Sequence, residues 1–371
     1  MKTATACFHF PLRLVALGLS AIASLSAQPA TTADGFALPQ PGHRFEFPRD
    51  HGSHPDFKIE WWYVTGHLFV NADRRFGFQA TFFRSAGPRV PGGSDSDNIY
   101  LAHMAVLDVA SGKFLHQERL NRGGWAAGAS LTTMDVFNGS WSLRLVGAAA
   151  NRFELTGGVR AEAKFTLELT STKPLVIFGE NSVSRKGADV GAASYYLTFS
   201  RLHAEGALSI GAEKLHVTGE AWMDHEISSS QLSGGQVGWD WLSVQLNDRR
   251  ELMLYRLRRS DGTADPASTL TWVDATGRTQ RGGFTWEVLE RWQSPATGAS
   301  YPSRILLTAT DPLTTTEVKL TIEPLAKDQE LTGTLGGIPY WEGACRVRDA
   351  AGKEIGSAYL ELTGYARDLK L

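Results

Sequence analysis

The sequence predicts an all-β protein built as two tandem antiparallel barrels, and three observations carry that prediction. Helical periodicity is almost absent, while short alternating segments recur with turn signals between them. The 371 residues include 11 Trp, 18 Phe and 38 Gly, an excess of strand-forming rings and turn-forming glycines. The chain also echoes itself. Residues 60–84, EWWYVTGHLFVNADRRFGFQATFFR, and residues 219–258, GEAWMDHEISSSQLSGGQVGWDWLSVQLNDRRELMLYRLR, both carry paired aromatics through a polar Asp-Arg-Arg turn into a second apolar strand. With Asp73-Arg74-Arg75 set over Asp248-Arg249-Arg250 the flanking strands fall into step, which predicts two copies of one unit.

Taken from the start, residues 1–27 read as a secretory signal peptide. Lys2 and Arg13 precede an apolar run over 14–25 that ends in small residues. The run is short for a membrane span, and no later stretch reaches the length of one. Cleavage near Ala27 would remove Cys7 and leave Cys345 alone, so the mature chain has no internal disulfide and rests on its core and sheets in a periplasmic or secreted setting. The formal charge of −2 becomes −4 without Lys2 and Arg13, and no basic block stands out. Nucleic acid and strongly anionic membrane surfaces are therefore poor partners.

Residues 28–50, rich in Pro, Gly and Ala, form a flexible lead-in. The next stretch offers His51, His54 and Asp56 as a metal trio, but the flanking prolines impose irregular backbone and no further ligand is in view. A locally bonded polar turn accounts for the same residues. The first barrel is expected over 51–212, with strands near 60–70, 76–83, 100–108, 113–120, 140–146, 152–155, 161–170 and 194–202; the one weak helical candidate is 125–137. The second is expected over 213–371, with strands near 215–224, 238–246, 251–258, 270–274, 285–290, 303–309, 317–322, 340–347 and 356–365. About eight strands per unit suits a barrel whose interior holds one small ligand.

The chemistry concentrates at Asp224, His225 and Glu226. In a regular strand Asp224 and Glu226 share a face, about 6.7 Å apart along the strand, and His225 points the other way. Two carboxyls that close in a poorly hydrated place raise one another's pKa and yield a proton donor near neutral pH. The competing reading ends the strand at Met223 and makes the segment a solvated turn. Trp61, Trp62, Tyr63, Trp222, Trp239, Trp241, Tyr255, Tyr340 and Trp341 supply an aromatic wall for a ligand. Asp240, between two tryptophans, either joins that wall or pairs with Arg256 or Arg258 across the hairpin. No nucleophile elbow, phosphate loop, dinucleotide fingerprint or paired Cys ligands appear, and no cofactor is implied.

The motifs EWWYVTGHL (60–68), GEAWMDHE (219–226), YWEGA (340–344) and YLELTGY (359–365) together resemble the AttH-like family of secreted bacterial proteins, relatives of carotenoid 1,2-hydratase. The resemblance implies lipocalin-like barrels. Its hydratase branch adds water to an isolated carbon–carbon double bond of a polyene without a cofactor, and other members are encoded beside export permeases. That branch carries a His two residues before a Trp and an Asp two residues after a Tyr in its second-domain hairpin. Around Trp241 and Tyr255 the matching positions here are Trp239 and Leu257, neither a good proton donor. Two readings result: an envelope protein binding an apolar lipid or isoprenoid, with an ABC-type export permease as a partner, or a cofactor-independent hydratase or isomerase with Asp224 or Glu226 as acid. A two-carboxylate glycosidase is a distant third. A buried Asp224 lining a cavity would favour the enzyme, and an exposed one the carrier.

Overall fold

The computed structural model describes Met1 and residues 31–369, apart from 72–73, 90–96, 148, 150 and 336–337. Apart from Met1, the signal peptide expected over 1–27 lies outside the described residues. The first sheet comprises β1 (Ile59–Phe69), β2 (Arg75–Ser85), β3 (Ile99–Asp108), β4 (Lys113–Arg122), β5 (Ala127–Ala129), β6 (Asp135–Asn138), β7 (Trp141–Leu145), β8 (Arg152–Val159), β9 (Ala163–Ser171), β10 (Val176–Phe178), β11 (Ser184–Arg185), β12 (Ala193–Ile210) and β13 (Glu213–Ser230). The second comprises β14 (Gln236–Leu246), β15 (Glu251–Arg259), β16 (Thr269–Val273), β17 (Thr279–Gly282), β18 (Phe284–Gln293), β19 (Ser300–Thr310), β20 (Glu317–Pro324), β21 (Glu330–Leu331), β22 (Tyr340–Arg348) and β23 (Glu354–Thr363). Among the described residues there is no α-helix. The weak helical candidate at 125–137 forms β5, a turn and the start of β6.

Both sheets follow one plan. Four strands run outward as a meander, and the last strand of the unit returns to pair with the first: β13 beside β1, β23 beside β14. The echoed hairpins are β1–β2 and β14–β15. The first sheet curls into a nearly closed barrel and the second into a half-barrel, in the manner of tandem lipocalin-like units. Side chains help to draw the first barrel's edges together: Asn138 Nδ2 donates to Tyr100 O at 3.0 Å and Arg160 N donates to Gln117 Oε1 at 2.7 Å.

The boundary expected at 212/213 falls instead within the β12–β13 hairpin. Gly211 makes that turn with a φ of 58°, a conformation glycine adopts without strain. β13 then pairs with β12 from Glu213 to Ser230 and with β1 from Thr218 to Ser228. The chain passes to the second sheet only between Ser230 and Gln236.

The pleat decides what each residue does, because neighbours on a strand face opposite ways. Trp62, Val64 and Leu68 of β1 join Phe76, Phe78, Phe82, Phe153 and Phe165 in the core of the first unit. Leu242, Val244, Leu360, Leu362 and Trp341 fill the second. The interiors carry apolar side chains where a small ligand was expected, and packing is close at Gly157, where a Cβ would lie 2.4 Å from the Phe165 ring. The alternate residues, among them Tyr63, Tyr196, Trp222, Trp241, Met253, Tyr255 and Tyr359, form a third cluster between the units. The sheets approach closely there, and a Cβ on Gly77 would stand 2.6 Å from that of Ala344.

Polar ties cross the same seam. Glu251 of the second sheet is held by Lys173 Nζ at 2.5 Å, from the β9–β10 connection, and by Arg201 Nε at 2.7 Å, from β12. Gln245 Nε2 donates to the carbonyls of Ser200 and Ala221 at 2.8 and 3.0 Å.

Candidate active site

Between the two units lies a cavity of about 540 Å³. Its walls come from the outward faces of both sheets: Trp61, Tyr63 and Phe83 from the first, Trp239, Trp241 and Tyr255 from the second. A volume of that size accommodates a small organic ligand, and the mostly apolar wall suits an apolar one.

β13 runs unbroken through Ser230, so Asp224 and Glu226 do share a face and the solvated-turn reading fails. Asp224 is 2% exposed and lines the cavity. Burial pushes its carboxyl up to about 7, with the neighbouring Glu226 adding to the effect. Three donors nevertheless aim at it: Thr198 Oγ1 at 2.5 Å and Trp222 Nε1 at 2.8 Å on Oδ1, and Tyr196 Oη at 2.9 Å on Oδ2. Tyr196 Oη in turn accepts from Trp241 Nε1 at 2.8 Å, which links the acid to the second sheet. Burial also raises Glu226, although Lys186 Nζ stands 3.2 Å from its Oε2 and opposes the rise.

The facing wall carries a second carboxyl pair. Glu342 on β22 and Glu361 on β23 both line the cavity and are direct cross-strand partners. Burial, then the charge of Glu361, holds the Glu342 carboxyl well above the usual range. Burial raises Glu361 to about 7, with Trp239 opposing and the charges of Glu226 and Asp224 adding. Gln79 Nε2 reaches across from the first sheet and donates to Glu342 Oε2 at 2.6 Å and Tyr340 Oη at 3.1 Å.

Of the residues expected to form the site, Trp61, Tyr63, Asp224, Glu226, Trp239, Trp241, Tyr255 and Tyr340 line the cavity. Trp222 stands behind Asp224 as its hydrogen-bond donor. The pleat turns four others away. Trp62 packs in the first core and Trp341 in the second. Asp240, wholly buried, pairs with Arg256 and Arg258 at 2.9 and 3.1 Å, the pairing that was its alternative reading. His225 stacks on Trp62 at 4.8 Å and is no partner of Asp224.

His225 belongs to a second buried network, of which Glu60 and Arg84 border the cavity. Glu60 Oε1 lies 2.9 Å from both His225 Nε2 and His54 Nδ1, and its Oε2 accepts from Arg84 Nε at 3.1 Å. Burial works to raise the Glu60 carboxyl, but His225, His54 and Arg84 together hold it well below the usual range. The three potential ligand atoms of His54, Glu60 and His225 lie within 4.8 Å of one another. A dication there would displace existing hydrogen bonds and sit against the buried Arg84 cation, so the set fits an ion-pair network better than a metal. The trio His51, His54 and Asp56 does not assemble: His51 packs on Phe199 at 5.7 Å, and Asp56 pairs with Arg89 at 2.6 Å.

Sequence reading missed Glu361, Tyr196, Thr198 and His103 as site residues, whereas the Tyr340-Trp341-Glu342 run could be read as a weaker candidate for a pocket lining. The available signal was an isolated acid in an apolar strand, as in Tyr359-Leu360-Glu361-Leu362.

No curated protein matches the sequence. Among solved structures, an AttH protein from Nitrosomonas europaea aligns with a TM-score of 0.78 and 35% identity, covering 89% of this chain and 100% of that one. Kievitone hydratase from Nectria haematococca aligns at 0.65 with 13% identity over 91% and 96% of the two chains. CghA, solved with Sch210972, aligns at 0.53 with 11% identity over 91% and 98%; these last two show a shared fold. The AttH-like family model matches residues 38–365, and with a 35% identical relative spanning most of its length the chain belongs to the AttH-like family.

Proposed function

We propose that the cavity between the barrels binds an apolar, alkene-bearing molecule and that Asp224 protonates its double bond so that water adds without a cofactor. The observation that carries this reading is Asp224 itself, a buried carboxyl poised at about 7 on the cavity wall. Burial keeps a substantial share of the acid protonated near neutral pH, while Thr198, Trp222 and Tyr196 already point at the carboxylate that proton loss leaves behind. A donor arranged in this way holds its proton before transfer in the protonated fraction and is stabilised as the anion after it.

The Asp224 proton and the alkene π electrons form a new C–H bond, and the cation develops at the more substituted carbon. Ring faces of Trp61, Trp239, Trp241 and Tyr255 attract that positive charge. A water oxygen then forms the C–O bond, and Glu361 on the facing wall takes the water's proton. A subsequent proton exchange through the cavity restores Asp224. The site lacks the His and Asp of the hydratase branch beside Trp241 and Tyr255, but Asp224 reaches Trp241 through Tyr196, so the acid comes from β13 instead. The name of the fold-mate kievitone hydratase agrees with this class of chemistry. Export through the expected signal peptide would place it in the periplasm or outside the cell, near an export permease.

The apolar wall equally supports a carrier, and one experiment separates the two. Wild type and Asp224→Asn purified from the native envelope are compared by native mass spectrometry and lipid extraction. A species heavier by one water from wild type than from the variant supports hydration. The same unchanged lipid from both would leave binding and remove the chemistry.

A further inference from the structure

Asp224 and Glu226 stand side by side on β13, about 6.7 Å apart along the strand, and both are buried on the wall of one cavity. Their partners differ in kind. Asp224 meets neutral groups, the hydroxyls of Thr198 and Tyr196 and the indole of Trp222. Glu226 meets a cation: Lys186 Nζ lies 3.2 Å from its Oε2, with smaller help from the side chains of Ser194 and Gln231.

Lys186 is fixed in this place from both units. Its N–H donates to Ala192 O at 2.7 Å, Gln236 Nε2 donates to its carbonyl at 2.8 Å, and Tyr255 Oη donates to the carbonyl of Arg185 beside it at 2.9 Å. The residue is 5% exposed, and its ammonium lies over the rings of Tyr255 and Tyr196 at 4.0 and 4.6 Å. Ring faces favour a cation, and an ammonium has three donors and no acceptor, so these surroundings call for an anion at Glu226. The Thr198 hydroxyl can turn to accept a hydrogen as well as give one, so the surroundings of Asp224 also suit the neutral acid.

The other titratable groups lining the cavity leave that asymmetry in place. Burial holds the phenols of Tyr63 on β1, Tyr196 on β12 and Tyr340 on β22 well above the usual range, and pushes His103 on β3 down to about 4, so all four are neutral. Glu342 and Glu361 on the facing wall are acids. Arg84, the other cation lining the cavity among the described residues, is bound to Glu60 at 3.1 Å.

Resting on the reading of Asp224 as the proton donor, we propose that Lys186 is a positioning residue: it fixes the negative charge on Glu226, and that charge keeps the transferable proton on Asp224. Two carboxyls this close resist a second ionisation, so an ionised Glu226 opposes loss of the Asp224 proton until a substrate takes it. Without Lys186 the burial of Glu226 goes unopposed, the proton moves to Glu226, and Asp224 ionises first. Among the described residues Lys186 pairs with Glu226 and not with Asp224, so its effect runs through Glu226.

The test is a carbon-13 NMR titration of the two side-chain carboxyls in the whole protein, assigned by their loss in Asp224→Asn and Glu226→Gln. In Lys186→Met, which keeps an apolar stem and removes the charge, the Asp224 midpoint should fall by about one pH unit and that of Glu226 should rise by about one to three. Lys186→Gln should give the same reading should Lys186→Met not fold, and Lys186→Arg, which keeps the cation, should hold both midpoints near wild type. Glu226→Gln should also lower the Asp224 midpoint, and adding Lys186→Met to it should lower it no further. An Asp224 midpoint unmoved by removal of the Lys186 charge, or by Glu226→Gln, would overturn the proposal. So would a further fall in the double variant, because a merely structural lysine acts without Glu226. The titration needs no substrate: an Asp224→Asn variant that still hydrates would end the hydration reading and leave this result standing, and failure here would leave Asp224 as the acid.

Discussion

Glu342 and Glu361 stand directly opposite one another on antiparallel β22 and β23, two carboxyls facing a single cavity. Like charges in that arrangement repel, and the pair avoids the repulsion by holding a proton. A carboxyl whose folded pKa is raised stabilises the protein fully below its unfolded value near 4.5, and that contribution fades as pH rises through about 7. Glu361→Gln should therefore gain roughly 1–3 kcal/mol on wild type between pH 5 and pH 8. Urea denaturation at the two pH values measures it, and parallel losses in both proteins would contradict the shared-proton account.

Asp224 gives a kinetic counterpart. With the acid titrating at about 7, turnover should fall as pH rises through neutrality, because the donor must be protonated. Asp224→Asn should lower kcat by about 10²–10⁴ while changing stability by less than about 1 kcal/mol, since the amide fills the same space. A variant that keeps wild-type turnover would move the acid elsewhere.

Glu251 holds the units together. Its removal leaves Lys173 buried without a carboxylate and Arg201 with Glu220 alone, and uncompensated buried charge costs about 3–5 kcal/mol. Glu251→Ala should lose that much in equilibrium denaturation and show two separate transitions in place of one. A cooperative, undiminished transition would show that the seam is held by its apolar contacts alone.

The Glu60 network should be felt on the acid side. Its carboxyl is held well below the ordinary value by His225, His54 and Arg84 against the effect of burial. The resulting stability is present above about pH 4.5 and is lost as pH falls through the folded pKa. Glu60→Gln should be destabilised by a few kcal/mol at pH 7 and by less at pH 3. Added zinc should not restore it, whereas rescue by zinc would make His54 and His225 ligands.

The hairpin echo, the shared face of Asp224 and Glu226, and the Asp240 pairing with arginines were all readable in the sequence, because each depends on local alternation or on a turn of known length. Which face of a strand met the cavity was not. β1 is buried on both sides, so Trp61 and Trp62 look alike until the partner sheet is known. Glu342 and Glu361 lie 19 positions apart and meet only through the β22–β23 register. His103 and Gln79 reach the site from a different sheet altogether.

Both barrel interiors hold the apolar cores and the cavity lies in the seam, so folding and cavity lining occupy alternate positions of the same strands. Residues 62, 64, 242 and 360 sit in the cores, and residues 61, 63, 241 and 361 face the cavity. Such a scaffold can change what it recognises by substitution at one parity while the other parity keeps the fold. A family so built can reshape its cavity widely on one unchanged pair of barrels.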